Sequence, residues 1–90
     1  LEKPEQEEDV FEKQSMVVYP NPNNGQFTLS LNGFYGQTRV LIFNAMGQRV
    51  YDAGINGQTL TIELPNIQRG IYYVKAINNG KQFDKKMVVH

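Results

Sequence analysis

The residues able to do acid–base chemistry are few and scattered in this sequence. Beyond residue 15 the acids are Asp52, Glu63 and Asp84, cysteine is absent, and the one histidine is His90. A glycosidase needs two carboxyl groups about 5 to 10 Å apart across a cleft. Glu63 instead falls on the outward face of a predicted strand, where a carboxylate is normally solvated. We therefore expect a domain that is not an enzyme.

Two other groups of residues have side chains that can bind ligands. Asn21, Asn23 and Asn24 offer oxygen atoms to calcium, but they lack the carboxylates that give such sites affinity, and the neighbouring prolines already predict a turn. Phe34 and Tyr35 either form an exposed aromatic platform for a sugar or a partner, or close one end of the fold by packing. Packing is the simpler expectation, and we expect no metal ion or cofactor.

The charge is balanced overall but uneven along the chain. Residues 1–15 carry six acids and two bases, whereas residues 16–90 carry three acids and seven bases. These seven cations never cluster beyond the adjacent pair Lys85 and Lys86, so the sequence does not predict nucleic-acid binding. No apolar run approaches the roughly 18 residues of a membrane span, so we expect no direct insertion into a bilayer.

The first fifteen residues differ in composition from the rest. They contain only three large apolar groups, Leu1, Val10 and Phe11, which is too few to offset the entropy of ordering the segment. Residues 1–15 are therefore predicted to be an acidic flexible linker, with a short amphipathic helix over residues 5–14 as the alternative. A compact domain is predicted from residue 16 to residue 90.

That domain is predicted to be all-β. Phe27, Leu29 and Leu31 alternate with polar residues, which is typical of a strand with one buried face. The run Val40–Phe43 is apolar throughout, which predicts a central strand covered on both sides. Seven strands are predicted in all: Met16–Tyr19, Gln26–Asn32, Arg39–Asn44, Gln48–Asp52, Thr59–Leu64, Ile71–Ile77 and Lys81–Val89.

The turn signals between these strands indicate antiparallel neighbours. Asn79-Gly80 is the strongest two-residue hairpin signal, and Asn44–Gly47 predicts a four-residue turn. Pro20 and Pro22 predict a stiff turn after the first strand. Short strands with turns every ~8 to 12 residues indicate a compact two-sheet antiparallel sandwich, immunoglobulin-like in architecture.

A set of motifs accompanies this pattern in a fixed order. The most specific is Tyr19-Pro20-Asn21-Pro22, which follows Val18. The later positions are Gly25, Phe27, Leu29, Val40, Ile42, Asn44, Gly47, Val50, Ile62, Leu64, Gly70, Tyr72, Val74, Gly80, Lys85, Lys86, Val88 and Val89. Over residues 17–90 the chain resembles the type A C-terminal sorting domain of the type IX (Por) secretion system of Bacteroidetes. We assign the Tyr-Pro-Asn-Pro residues, Gly25, Gly47, Gly70 and Tyr72 to the fold.

The resemblance implies a secretion signal. A cargo domain N-terminal to the tag would reach the periplasm, and the tag would present it to the outer-membrane translocon and its shuttle protein. A sortase-like cysteine protease would then remove the tag when the cargo is attached to the cell surface. The predicted linker suits such cleavage, because a protease needs extended, accessible backbone.

Lys85, Lys86, Met87, Val88 and Val89 are the residues we expect the translocon to recognise. A terminal edge strand offers unpaired backbone groups, and two lysines, to a partner that adds a strand. Alternatively, Met87 and Val89 only fill the core and the lysines keep an edge strand soluble, and both interpretations can hold together.

Two functions from other classes remain open on the sequence alone. A carbohydrate-binding or adhesive β-sandwich module would share the architecture, because function lies in sites and not in the fold. A passive spacer is the other possibility. An edge strand also leaves open a dimer of the isolated domain.

Overall fold

The computed structural model of this chain describes residues 13–90. The predicted linker, and the helix considered as its alternative, lie largely in residues 1–12, outside the described residues. Seven strands follow one another along the described chain: β1 (Ser15–Tyr19), β2 (Gln26–Asn32), β3 (Thr38–Asn44), β4 (Arg49–Ile55), β5 (Thr59–Glu63), β6 (Gly70–Asn78) and β7 (Lys81–Val89). The predicted bounds differ from these by three residues at most.

The strands form two antiparallel sheets packed face to face. One sheet has three strands in the order β1-β2-β5, and the other has four in the order β4-β3-β6-β7. Alternation along each strand places one set of side chains between the sheets and the other set in solvent, as a sandwich requires. The predicted all-β, immunoglobulin-like sandwich is confirmed.

The core lies between the two sheets. Phe27, Leu29 and Leu31 of β2 are at most 2% exposed, as their alternation predicted. Large side chains of both sheets meet there, and the remaining members of the buried cluster are Met16, Val18, Phe34, Val40, Ile42, Ile62, Tyr72, Val74, Ala76, Met87 and Val89. This layer is what fixes the register of every strand, since a one-residue slip would turn the apolar groups to solvent.

Both hairpins in the four-stranded sheet form as their turn residues predict. Asn79 and Gly80 have positive φ angles of 51° and 78°, which suit the two-residue turn between β6 and β7. At the β3–β4 turn the Asn44 side chain accepts hydrogen bonds from the N–H groups of Met46 (3.0 Å) and Gln48 (2.9 Å). Strand β3 is central, and Leu41 on its outer face is only 8% exposed.

Among residues 13–90 no helix is long and apolar enough to span a bilayer.

Candidate functional site

The segment that follows β1, residues 20–24, lies against the end of β7 and is called the clamp segment below. The Asn21 side chain spans two backbone groups of that strand. Its Nδ2 donates to the carbonyl oxygen of Lys86 (3.0 Å), and its Oδ1 accepts from the N–H of Val88 (2.9 Å). One side-chain amide therefore makes the pair of hydrogen bonds that a neighbouring strand would make.

The backbone of Asn23 continues this pairing. Its N–H donates to the carbonyl oxygen of Val88, and its carbonyl accepts from the N–H of His90, both at 2.9 Å. The Asn23 side chain, 3% exposed, donates to the carbonyl of Pro20 (3.0 Å) and accepts from the N–H of Gly25 (2.8 Å). These internal bonds hold the clamp segment in the shape that meets β7.

Gly25 follows the clamp segment, at a position where a side chain has no room. Its φ is 102°, and a Cβ atom there would lie 2.8 Å from Ile67 Cγ2 and 3.0 Å from the carbonyl oxygen of Leu64. The Gly25 carbonyl also accepts a hydrogen bond from the N–H of Leu64 (2.9 Å). Gly25 is therefore needed for the close approach to the β5–β6 loop. Within the clamp segment, the peptide bonds before Pro20 and Pro22 are both cis.

The prediction that Lys85–Val89 offers unpaired backbone groups at a sheet edge is wrong for most of that segment. The Lys86 carbonyl, both backbone groups of Val88 and the His90 N–H are all paired with the clamp segment. The clamp segment of the same chain therefore makes the hydrogen bonds that an added partner strand would make at this end of β7. This pairing could not be recognised in the sequence, because the clamp segment contains two prolines and resembles a turn. Its asparagines make the hydrogen bonds to β7 that the prolines cannot donate. Among the described residues, the clamp segment makes no hydrogen bond with β7 before the Lys86 carbonyl.

The five predicted recognition residues point in different directions. Met87 and Val89 are 0% and 3% exposed, so packing accounts for both. Lys85 lies opposite the buried Val74 and therefore on the inward side of β7, yet it is exposed at the sheet edge. An inward-pointing charge on an edge strand opposes unwanted pairing. Lys86 is exposed on the outer face. The role of these residues in recognition stays a prediction.

A second asparagine cluster lies at the opposite end of β7. Asn78, 1% exposed, donates from Nδ2 to the carbonyl of Tyr35 (2.9 Å), the carbonyl of Gln37 (3.3 Å) and the Thr38 hydroxyl (2.9 Å). Its Oδ1 accepts from Gln14 Nε2 (3.2 Å). The cluster joins the β2–β3 loop to the β6–β7 hairpin, and among the described residues no buried side-chain polar atom lacks a partner.

The other motif residues are found in turns and at the ends of strands, where they contribute to the fold. The Tyr72 hydroxyl donates to the carbonyl of Gln68 (2.6 Å), four residues upstream, which is the tyrosine corner of immunoglobulin-like sandwiches. Gly47 ends the β3–β4 turn at a φ of 85°, and Gly70 begins β6 at a φ of 150°. Tyr19, at the end of β1, is 49% exposed.

The three acids considered for catalysis lie apart on outer faces. Asp52 accepts two hydrogen bonds from Arg39 (3.1 and 2.8 Å) and lies 3.4 Å from Arg49. The hydrogen bond from Arg39 lowers the pKa of Asp52, and the same contact raises the pKa of Arg39. A lowered pKa is the opposite of what a general acid needs at neutral pH. Glu63 lies on the other sheet.

The remaining candidate ligand sites carry no catalytic groups. A groove of about 420 Å³ lies between the β3–β4 turn and the β5–β6 loop, lined by Asn44, Val50, Leu64, Pro65, Asn66, Ile67, Gln68 and Tyr72. Phe34 is 1% exposed, with its ring centroid 4.8 Å from that of Phe83, whereas Tyr35 is 67% exposed. Packing therefore accounts for Phe34. Among residues 13–90 no three potential metal ligands gather.

The fold and the tyrosine corner define the class as an immunoglobulin-like β-sandwich, and solved structures agree. PorZ, a surface component of the type IX secretion system of Porphyromonas gingivalis, superposes with a TM-score of 0.73 at 18% identity, over 84% of this chain and 11% of PorZ. A DUF3244 family protein with an immunoglobulin-like β-sandwich fold from Bacteroides vulgatus gives 0.70 at 16% identity, over 83% of each chain. At these identities the likeness shows the fold.

The family follows from the sequence motifs. The model of the secretion system C-terminal sorting domain matches residues 17–90, and this chain belongs to that family. An ulvan lyase of Nonlabens ulvanivorans is 33% identical over 84% of the chain, and an endo-acting ulvan lyase of Formosa agariphila is 27% identical over 92%. The chain spans only 14% and 16% of those relatives. The chain is a type IX secretion sorting signal. Such a signal implies a cargo protein that is either secreted or located at the outer membrane or cell surface.

Proposed function

We propose that this domain carries a larger cargo, N-terminal to it, from the periplasm to the type IX translocon, and that a sortase-like cysteine protease removes the domain within or before residues 1–15. The family match over residues 17–90 carries this proposal. The shares of 14% and 16% that the chain spans of the two ulvan lyases support a larger cargo. The domain itself would not be catalytic, since its acids are separated and Asp52 is held by two arginines.

The recognised element would be the end of β7 in the shape given to it by the clamp segment. Lys85 and Lys86 are exposed on opposite sides of the strand, and no ion pair involves either of them among the described residues. The clamp segment fixes the backbone from residue 86 to residue 90. A shuttle protein would thus meet an ordered surface, which lowers the entropic cost of binding.

A secretion assay tests this proposal. Residues 1–90 are fused behind a signal peptide and a fluorescent reporter in a bacterium with a type IX system, and reporter is measured in periplasm, surface and medium. Lys85→Gln with Lys86→Gln should stop export without changing the melting temperature. The control is Lys81→Gln, which removes an exposed lysine from the other end of the same strand. Export unaffected by the first pair would contradict recognition through these lysines, and an intact fusion held in the periplasm would contradict the sorting role.

Cleavage is tested by mass spectrometry of the exported reporter. Its new C-terminus should fall at or before residue 15, because β1 begins at Ser15 and paired backbone resists proteases. A new C-terminus beyond Met16 would exclude the proposed cleavage region.

A further inference from the structure

The outer face of the four-stranded sheet carries an apolar patch at the end where β7 meets the clamp segment. Ile71 of β6 is 41% exposed and lies opposite Val88 of β7. Tyr73, 45% exposed, lies between Phe43 of β3 and Lys86 of β7. We call Phe43, Ile71, Tyr73 and Val88 the outer strip. It crosses three neighbouring strands, two of them central.

The other sheet shows that the fold does not require such a strip. A sandwich needs apolar residues on its inner faces only, and its outward positions are ordinarily polar. The outward side chains of β2 and β5 follow this rule: they are Gln26, Thr28, Ser30, Asn32, Thr59, Thr61 and Glu63. The exposed apolar groups of that sheet, Val17 and Tyr19, lie on the edge strand β1.

The charges around the outer strip are mostly basic. Lys86 lies opposite Tyr73, and the ammonium of Lys75 lies 5.3 Å from the Phe43 ring centroid. Arg49 lies opposite Phe43 across the β3–β4 pair. The nearby acids are Asp52, which is bound by two arginines, and Asp84, which lies opposite Lys75.

We infer that the outer strip is the surface by which this sorting domain binds a partner protein of the secretion machinery, one whose docking surface is apolar at its centre and acidic around it. The inference rests on the proposed function and narrows its site. Of residues 85–89, only Lys86 and Val88 face outward: Val88 belongs to the strip, and Lys86 lies next to it, opposite Tyr73. Met87 and Val89 hold the strand in the core.

A protein suits this surface better than an anionic membrane does. Tyrosine and isoleucine on a rigid sheet supply contact area at little entropic cost, as in protein interfaces. The acids Asp52 and Asp84 lie on the same face as the basic residues, so the charge of this face is mixed, whereas an anionic lipid surface favours a uniformly basic one. A protein can place apolar or basic groups opposite them.

The secretion assay separates the outer strip from equally exposed groups elsewhere. Ile71→Thr with Tyr73→Thr should lower surface and medium reporter about tenfold or more, because losing two central contacts of an interface commonly costs over 1.4 kcal/mol. The matched control is Val17→Thr with Tyr35→Thr, at side chains that are 43% and 67% exposed and lie away from the strip. This control should be exported like the unchanged domain.

A charge reversal provides a second variant that leaves the apolar residues in place. Lys86→Glu should reduce export, whereas Lys81→Glu, on the same strand but away from the strip, should not. Melting temperatures of all variants separate misfolding from lost binding. If the unchanged fusion is exported and both strip variants are exported equally well, the inference is wrong and the sorting role stands. If the unchanged fusion stays in the periplasm, both fail.

A vesicle assay addresses the competing partner. The purified domain is floated with phosphatidylcholine vesicles with and without phosphatidylglycerol, and no binding is expected. Binding to the anionic vesicles that Ile71→Thr with Tyr73→Thr abolishes would assign the strip to lipid and overturn the inference.

Discussion

Two asparagine contacts hold the final hairpin at its two ends, and they differ in depth. At the turn end Asn78 is 1% exposed and has four hydrogen-bond partners. At the other end Asn21 is exposed and bonds the backbone of Lys86 and Val88. The chemistry of the two amides is the same. Water replaces the exposed Asn21 amide more readily than the buried Asn78 amide. We therefore expect Asn21 to order the end of a strand and Asn78 to stabilise the whole domain.

The largest effect that separates these two ends is expected from Asn78→Ala. The substitution removes four hydrogen bonds, including the buried one to the Thr38 hydroxyl, and we expect it to lower the free energy of unfolding by about 3 kcal/mol. Urea denaturation measures the change. Asn32→Ala is the control, because its amide is exposed and bonds only Ser15 (3.3 Å) among the described residues. Equal effects of the two substitutions would show that burial does not distinguish them.

A smaller, local effect is expected from Asn21→Ala. Water replaces the two lost bonds, so the free energy of unfolding should fall by less than about 1 kcal/mol. Exchange of the Val88 amide hydrogen, followed by NMR, should accelerate about five- to tenfold. Amides of β6 that bond β7 are the internal control and should keep their rates. A uniform acceleration across β6 and β7 would mean that this end also carries global stability.

The smallest effect is expected from a contact that is wholly at the surface, Asp52→Asn. The pKa of Asp52 is lowered by Arg39, so the ionised form stabilises the fold above the ordinary aspartate pKa, and this contribution is lost as the pH falls through the lowered value. The two proteins should therefore differ slightly in melting temperature near neutral pH and converge in acid. Salt should reduce the difference. A difference that grows towards acid pH would contradict this sign.

The strands could be predicted from the sequence because their signals are local. The alternation of Phe27, Leu29 and Leu31 and the Asn79-Gly80 turn each act within a few residues, and the predicted elements were confirmed. Asn78 was missed, although it continues the inward positions of Tyr72 and Val74. A polar residue at an inward strand position is a signal for a buried hydrogen-bond cluster.

The clamp could not be predicted in the same way. It joins residues 65 to 67 positions apart, through bonds from Asn21 that no periodicity marks. The outer strip was missed for another reason. Whether Ile71 and Tyr73 are covered depends on which strands flank β6 and on what lies over the sheet, and both are properties of the tertiary fold.

The long sequence separation within the clamp has a consequence for folding. The hairpins of the four-stranded sheet close short loops, whereas Asn21 meets Val88 only after a loop of more than sixty residues has closed. Contacts between distant residues form late and slowly in sandwich proteins, because chain entropy must be lost before they are made. The ordered end of β7 would therefore be absent from partly folded chains. A machinery that recognises this end would respond to completed folding as well as to sequence.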